Sequence, residues 1–114
     1  MSDYDRRQFK MMLSILDAFD DRAIGLRKAI DDLEALYRSL EDTPKAWKSL
    51  FYKQWAIMEE VYAGALDKGY KQLPPDYQKL IEDAIQNLRR LVQERIDVTE
   101  DARANAEGGG KATG

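Results

Sequence analysis

The sequence contains no histidine and no cysteine. Histidine is the commonest general base and nitrogen ligand, and cysteine supplies the thiolate nucleophile and the sulfur ligand. Zinc sites and the Glu-x-x-His pairs of di-iron bundles are therefore not expected. We predict no catalytic residue, no metal site and no cofactor.

Recognisable motifs for nucleophilic or phosphate chemistry are also missing. No serine lies in a Gly-x-Ser-x-Gly or Ser-x-x-Lys pattern. The run "EGGGK" (107–111) has no strand pattern before it and no helix pattern after it, as a phosphate loop would require. Carboxylate pairs remain, but neighbours on a helix diverge by about 100°, so a dyad would need two helices to meet in a pocket. An enzyme built on carboxylates is the least favoured of three functional hypotheses.

Composition also narrows the cellular compartment and the kinds of binding partner that are expected for this chain. A short chain without cysteine is more typical of the reducing cytoplasm than of secretion. The start "MSDYDRRQFK" lacks the apolar stretch of a signal peptide, and no uncharged run approaches the roughly 20 residues of a membrane span. The net charge is −3 and no segment is strongly basic. We expect a cytoplasmic protein that binds neither nucleic acid nor membranes.

Proline is scarce, and its three positions, 44, 74 and 75, divide the chain into helical segments. Apolar residues recur every three or four positions, and no long stretch alternates with period two. The pattern predicts helices over about 4–19, 25–41, 44–68 and 75–96. Short connectors make an antiparallel four-helix bundle the expected all-α fold, in one domain over 1–98. Residues 99–114 contain no large apolar side chain and predict a disordered, flexible tail.

Two segments predict how helices begin. In "DTP" (42–44), Thr43 or Asp42 is the expected N-cap of the third helix, with Pro44 at its first position. Either Asp20 or Asp21 is the expected cap of the second helix, because a short acidic side chain satisfies free N–H groups at the positive end.

Aromatic residues are concentrated in "WKSLFYKQWAIMEEVYAGALDKG" (47–69). On a helical projection, Trp47, Phe51 and Trp55 share one half with the aliphatic residues, and most charges occupy the other half. The favoured interpretation is a core-facing helix. The alternative is that Trp47 and Phe51 protrude and anchor a partner. Tyr52 falls on the polar side and is expected to face solvent.

The first predicted helix is apolar over more of its circumference than one neighbour covers. Tyr4, Met11 and Ile15 widen the face that carries the core residues. Either this helix lies in a groove between two others, or these three residues meet a second copy of the chain.

Acidic residues are most frequent between residues 17 and 42, where basic residues are interleaved with them. One interpretation is a solvated face held by i,i+4 ion pairs and helix caps. The other is a patch that attracts a basic protein partner. In the second interpretation the partner-binding residues are Asp17, Asp20, Asp21, Asp31, Asp32 and Tyr52.

The run "LDAFDDRAIGLRKAIDDLEALYRSLED", followed by "W" and then "EEVYAGALDKG", resembles a group of short, uncharacterised bacterial all-helical proteins. These are similar to small immunity factors that act against toxins. The resemblance covers about residues 13–90. It implies a bacterial cytoplasmic protein and assigns no catalytic residue. We therefore predict a non-enzymatic protein-binding module, and the resemblance implies the immunity or inhibitor type. The alternative is a structural bundle that forms homodimers.

Overall fold

Four helices make up the chain in the computed structural model, which describes the backbone of residues 3–112 and the side chains of residues 3–100. They are α1 (Asp3–Asp20), α2 (Leu26–Arg38), α3 (Lys45–Asp67) and α4 (Pro75–Ala112). Within the described backbone there is no strand. The predicted all-α four-helix fold is confirmed, although α2 ends earlier and the backbone of α4 continues further than predicted.

The helices form a closed ring in which each contacts its neighbours in the chain and α4 also packs against α1. Contacts between α1 and α4 run in opposite order along the two helices. Arg6 of α1 bonds to Glu100 near the far end of α4, whereas Asp20 at the end of α1 bonds to Arg89. The four helices are therefore antiparallel neighbours, which is the topology that short connectors favour.

All four helices contribute apolar side chains to one central core. Removing such a side chain from water stabilises the fold by about 1.5–3 kcal/mol. The spacing of three and four positions seen in the sequence is the spacing of these core residues along each helix. The largest fully buried apolar side chains are Phe9, Met12, Leu16, Ile30, Leu33, Phe51, Met58, Leu88 and Val92.

Both tryptophans belong to this core, and each also makes a hydrogen bond to another helix. Trp47, Phe51 and Trp55 are 7%, 1% and 8% exposed. The interpretation of α3 as a core-facing helix is confirmed, and the alternative of protruding anchors is wrong. The Trp47 Nε1–H donates to the Leu91 carbonyl of α4, and the Trp55 Nε1–H donates to the Ile30 carbonyl of α2, both at 2.9 Å. A buried indole N–H needs an acceptor, so these bonds fix α3 against both neighbours.

One carboxylate lies inside the fold. Asp5 of α1 is 0% exposed. Its two oxygens accept hydrogen bonds from the backbone N–H of Glu41 at 2.9 Å, the backbone N–H of Asp42 at 2.7 Å and the Thr43 hydroxyl at 2.7 Å. Asp5 precedes Phe9 by four positions and so occupies the core-facing side of α1. It ties the start of the chain to the connector between α2 and α3.

This arrangement explains why α2 ends at Arg38 and not at the predicted residue 41. The Ser39 hydroxyl donates to the Leu36 carbonyl at 2.7 Å, and the Gln8 side-chain oxygen lies 3.2 Å from the same hydroxyl oxygen. The amides that would continue the helix instead point at the carboxylate of Asp5. Tertiary acceptors therefore replace the last predicted helical turn.

The predicted caps of α2 and α3 are both wrong. The Thr43 hydroxyl bonds to Asp5, so it does not cap α3, whose N-cap is Pro44 without a side-chain hydrogen bond. The N-cap of α2 is Gly25, which has no side chain to donate or accept. Asp20 and Asp21 lie before that position and do not cap the helix.

Helix α4 brings a cation to the Asp5 region. The side chain of Arg95 is half-buried. Burial lowers the pKa of Arg95, whereas the nearby carboxylates of Asp42 and Asp5 act in the opposite direction. Three parts of the chain, α1, the α2–α3 connector and α4, therefore meet around one set of charges.

Two residues just after the predicted domain end at residue 98 also make contacts in the structure. Thr99 is 5% exposed, and its hydroxyl donates to the Ile96 carbonyl at 2.9 Å. Glu100 accepts a hydrogen bond from Arg6 at 2.7 Å, and this bond lowers the pKa of Glu100. The flexible tail over 99–114 stays a prediction, and these contacts concern its first two residues. From residue 101 onward it lies beyond the side chains that the structure describes.

Replacing Asp5 with alanine is expected to lower the free energy of unfolding by about 3 kcal/mol, because hydrogen bonds to a charged group contribute about 1.5–3 kcal/mol each and buried amides would lose their acceptor. Urea denaturation followed by circular dichroism measures the change. Asp3→Ala is the matched control, since Asp3 is an exposed acid of the same helical turn. A loss no larger than that of the control would contradict the structural role of Asp5.

Candidate functional site

The predicted acidic residues of α1 are held by a single arginine of α4. Asp17 and Asp20 both accept hydrogen bonds from the guanidinium of Arg89, at 2.6 Å for Asp20. These contacts, chiefly the hydrogen bond with Asp17, raise the pKa of Arg89. Two carboxylates share one cation, so this cluster keeps a net charge of about −1 at neutral pH.

Asp21 lies next to this cluster, at the start of the α1–α2 connector. Its side chain is exposed, and its carboxylate makes no hydrogen bond or ion pair with any side chain in the range 3–100. The following residue, Arg22, has a φ of 63° and turns the chain away from α1. The connector therefore displays one acid and one base to solvent.

Asp31 and Asp32 are placed differently, on the exposed side of α2. Asp31 pairs with Arg27 at 3.1 Å, and Asp32 pairs with Lys28 at 3.0 Å, both as i,i+4 neighbours. Exposed pairs of this kind contribute only about 0.3–0.5 kcal/mol each. For these two acids the geometry matches the i,i+4 pairing that the first interpretation expects.

Tyr52 faces outward as predicted and is 50% exposed. Its ring lies 6.1 Å from the Tyr37 ring and 5.4 Å from the Trp55 ring. Tyr37 is at the end of α2, whereas Asp20 and Asp21 precede its start, so roughly 20 Å of helix separates Tyr52 from the acids. The structure does not bring Tyr52 together with Asp20 and Asp21.

The three residues predicted for self-association have unequal exposure. Ile15 packs against the central core. Tyr4 is half-buried, with the Arg7 guanidinium 5.9 Å from its ring centre. Met11 is 45% exposed. Only the last of the three leaves a large apolar surface open on α1.

An open groove of about 550 Å³ lies between the α1–α2 connector and the start of α4. Its charged lining residues are Asp20, Arg22 and Glu82. Sequence analysis identified only the first of these as a site residue. Its apolar lining residues come from both connectors and from the helices beside them. They are Phe19, Ala23, Ile24, Leu73 and Ile81.

A smaller depression of about 180 Å³ adjoins the groove, and Leu73 lines both. Leu66 and Tyr70, which line the smaller depression, are 62% and 43% exposed. Lys71 supplies a positive charge at this side. The connector end of the bundle therefore carries an elongated, partly apolar surface. Apolar residues within the predicted connectors, Ile24 and Leu73, were the available sequence signal for it.

The α3–α4 connector beside this surface is held by a lysine. Gly69 has a φ of 70°, a left-handed conformation that allows the chain to turn after α3. The Lys68 ammonium donates to the Tyr77 hydroxyl at 2.8 Å and lies 5.9 Å from the Tyr70 ring centre. The hydrogen bond with Tyr77 raises the pKa of Lys68, so the ammonium stays charged at neutral pH.

The described part of the chain contains neither a candidate metal-binding group nor a helix that could span a membrane. Side chains 3–100 contain no group of three or more acidic residues placed to hold a metal ion. Among the described helices, none combines the length and the apolar composition needed to cross a bilayer.

Comparison with known proteins adds no assignment. No family model, no curated protein and no solved structure matches the chain.

Replacing Arg89 with alanine is expected to destabilise the protein by about 0.5–1 kcal/mol at low salt, because Asp17 and Asp20 would be left close together without their shared cation. High salt should shrink the loss, since these groups are partly exposed and therefore screened. Thermal unfolding at two ionic strengths measures both effects. Arg90→Ala, one residue along the same helix, is the control. Equal, salt-independent losses for the two variants would contradict this assignment.

Proposed function

We propose that this protein is a non-enzymatic module that binds another protein through its acidic connector end. The observation that carries the proposal is the charge arrangement there. Asp17 and Asp20 share one arginine, Asp21 is exposed beside them, and the groove opens next to Asp20. A negative surface beside accessible apolar side chains suits a partner whose contact face is basic and partly apolar.

The charge acts at two stages of such an interaction. Before contact, exposed carboxylates attract a basic surface and raise the association rate, and salt weakens this attraction. After contact, apolar side chains removed from water provide most of the affinity. Asp31 and Asp32 extend the acidic surface along α2, whereas their i,i+4 pairing reduces what each can contribute.

The form of this function that we favour is an immunity-type or inhibitor-type protein that covers a basic surface of an enzyme. The resemblance to small bacterial helical proteins supports this form, and the cysteine-free composition supports action in the cytoplasm. Inhibition by coverage requires no catalytic group on the covering protein. Tyr52, remote from the acids, would then serve at the margin of the contact or not at all.

Reversing four acids, as Asp20→Lys, Asp21→Lys, Asp31→Lys and Asp32→Lys together, is expected to abolish partner capture. The immobilised chain would be incubated with extract of the native host, and bound proteins identified by mass spectrometry. We expect a protein that the wild type retains and the variant loses at least tenfold, a change of about 1.4 kcal/mol.

The matched control reverses four exposed acids on other faces, Asp3, Glu60, Glu94 and Asp97. Circular dichroism verifies that both variants are folded. Equal capture by the wild type and by the first variant, reversed at residues 20, 21, 31 and 32, would contradict the proposal. Capture of nothing by the wild type would do so as well.

A second candidate function is a self-associating structural bundle, and the exposure of Met11 is the observation that favours it. In this case α1 packs against α1 of a second copy. Light scattering from micromolar to millimolar concentration is expected to show a mass rising from 13.1 kDa towards twice that value. Met11→Glu should restore the monomer, because a charge cannot be buried in the contact without a partner. A constant monomeric mass would exclude this candidate.

A further inference from the structure

The groove at the connector end has an apolar lining that the fold does not fill. Phe19, Ile24 and Leu73 line it and are only half-buried. Its volume of about 550 Å³ lies within the roughly 300–1,000 Å³ typical of ligand pockets. A large apolar side chain entering from solvent would complete the burial of these residues.

The shape of the surface favours a chain segment over a compact small molecule. The groove continues across Leu73 into the smaller depression that Leu66 and Tyr70 line. Both connectors contribute to this surface, and its members lie at one end of the bundle. An elongated strip with two adjoining depressions offers successive places for the side chains of one peptide segment.

The two sides of the strip carry opposite charges. Asp20 and Glu82 line the groove, where Arg22 offsets one of them, and the exposed Asp21 adjoins. The carboxylate of Glu82 makes no hydrogen bond or ion pair with the described side chains, whereas its neighbour Asp83 pairs with Lys79. The groove side is therefore net acidic, and Lys71 makes the other side basic.

We propose that the groove binds a basic amphipathic segment of a partner protein. A large apolar side chain of that segment enters between Ile24 and Leu73, and a neighbouring lysine or arginine pairs with Glu82. This inference rests on the proposed protein-binding function and names the chemistry of the segment recognised. It adds Glu82, Ile24 and Leu73 to the binding residues.

The first test uses three fluorescein-labelled peptides of equal length and measures binding by fluorescence anisotropy. One peptide is basic with a central phenylalanine, the second replaces that phenylalanine with serine, and the third replaces every lysine with glutamate. We expect the first to bind at least tenfold more tightly than either of the others. Equal binding of the phenylalanine and serine peptides would mean attraction by charge alone and would overturn the proposal.

The second test places substitutions in the groove of the full chain. Ile24→Trp is expected to fill the groove and to weaken binding of the first peptide at least tenfold. Glu82→Lys is expected to weaken binding of that peptide about fivefold. The matched controls are Leu50→Trp, at an exposed apolar position on α3, and Glu94→Lys on the same helix as Glu82. Both controls should bind as the wild type does. Unchanged binding by Ile24→Trp would overturn the proposal.

The same variants separate this inference from the broader function. If the native partner is lost on acid reversal but retained by Ile24→Trp, the protein-binding function stands and the groove is not its site. If acid reversal has no effect on capture, the proposed function itself fails. Loss of the partner from both variants, with retention by Leu50→Trp, is the result that the proposal predicts.

Discussion

The fold depends on one buried carboxylate. Asp5 has no access to solvent, and its oxygens receive two backbone amides and one hydroxyl from the α2–α3 connector. An isolated buried charge would be strongly unfavourable, so these donors are a condition of the fold and not an addition to it. The same contacts hold the connector between α2 and α3 at a fixed distance from α1. Arg95 of α4 lies close enough for this carboxylate to affect its pKa.

The two ends of the bundle consequently differ. At the Asp5 end, polar contacts join α1 to the α2–α3 connector, and the pair between Arg6 and Glu100 joins α1 to α4. At the opposite end, the α1–α2 and α3–α4 connectors carry half-buried apolar residues and open onto the groove. This difference between the ends suits the proposed binding function, since a fixed scaffold presents connector residues without having to order them on contact.

Much of this architecture was predictable because it is local. Helix positions follow from apolar spacing, and the burial of Trp47 and Trp55 follows from their place beside aliphatic residues on one face. The left-handed Gly69 follows from its position after a long helical pattern. Each of these features depends on neighbours within a few turns of the chain.

The features that could not be predicted depend on residues far apart in sequence. In the sequence, Asp5 has the position of an ordinary exposed acid in a first helical turn. Its hydrogen-bond partners are 36 to 38 positions away and become visible only in the fold. Thr43 matched a capping pattern, but its hydroxyl is taken by that carboxylate. The acids of α1 were recognisable as a group, whereas their shared arginine and the groove beside them arise from helix packing.

Hydrogen exchange at the backbone amides of Glu41 and Asp42 tests the role of Asp5 most directly. Both amides lie in a connector, where exchange is usually fast, yet both donate to a carboxylate with no solvent access. We expect NMR to show them protected to nearly the same extent as amides in the centre of α3, and to lose that protection in Asp5→Ala. Exchange as fast as at the exposed connector residues Lys71 and Gln72 would contradict this description of the fold.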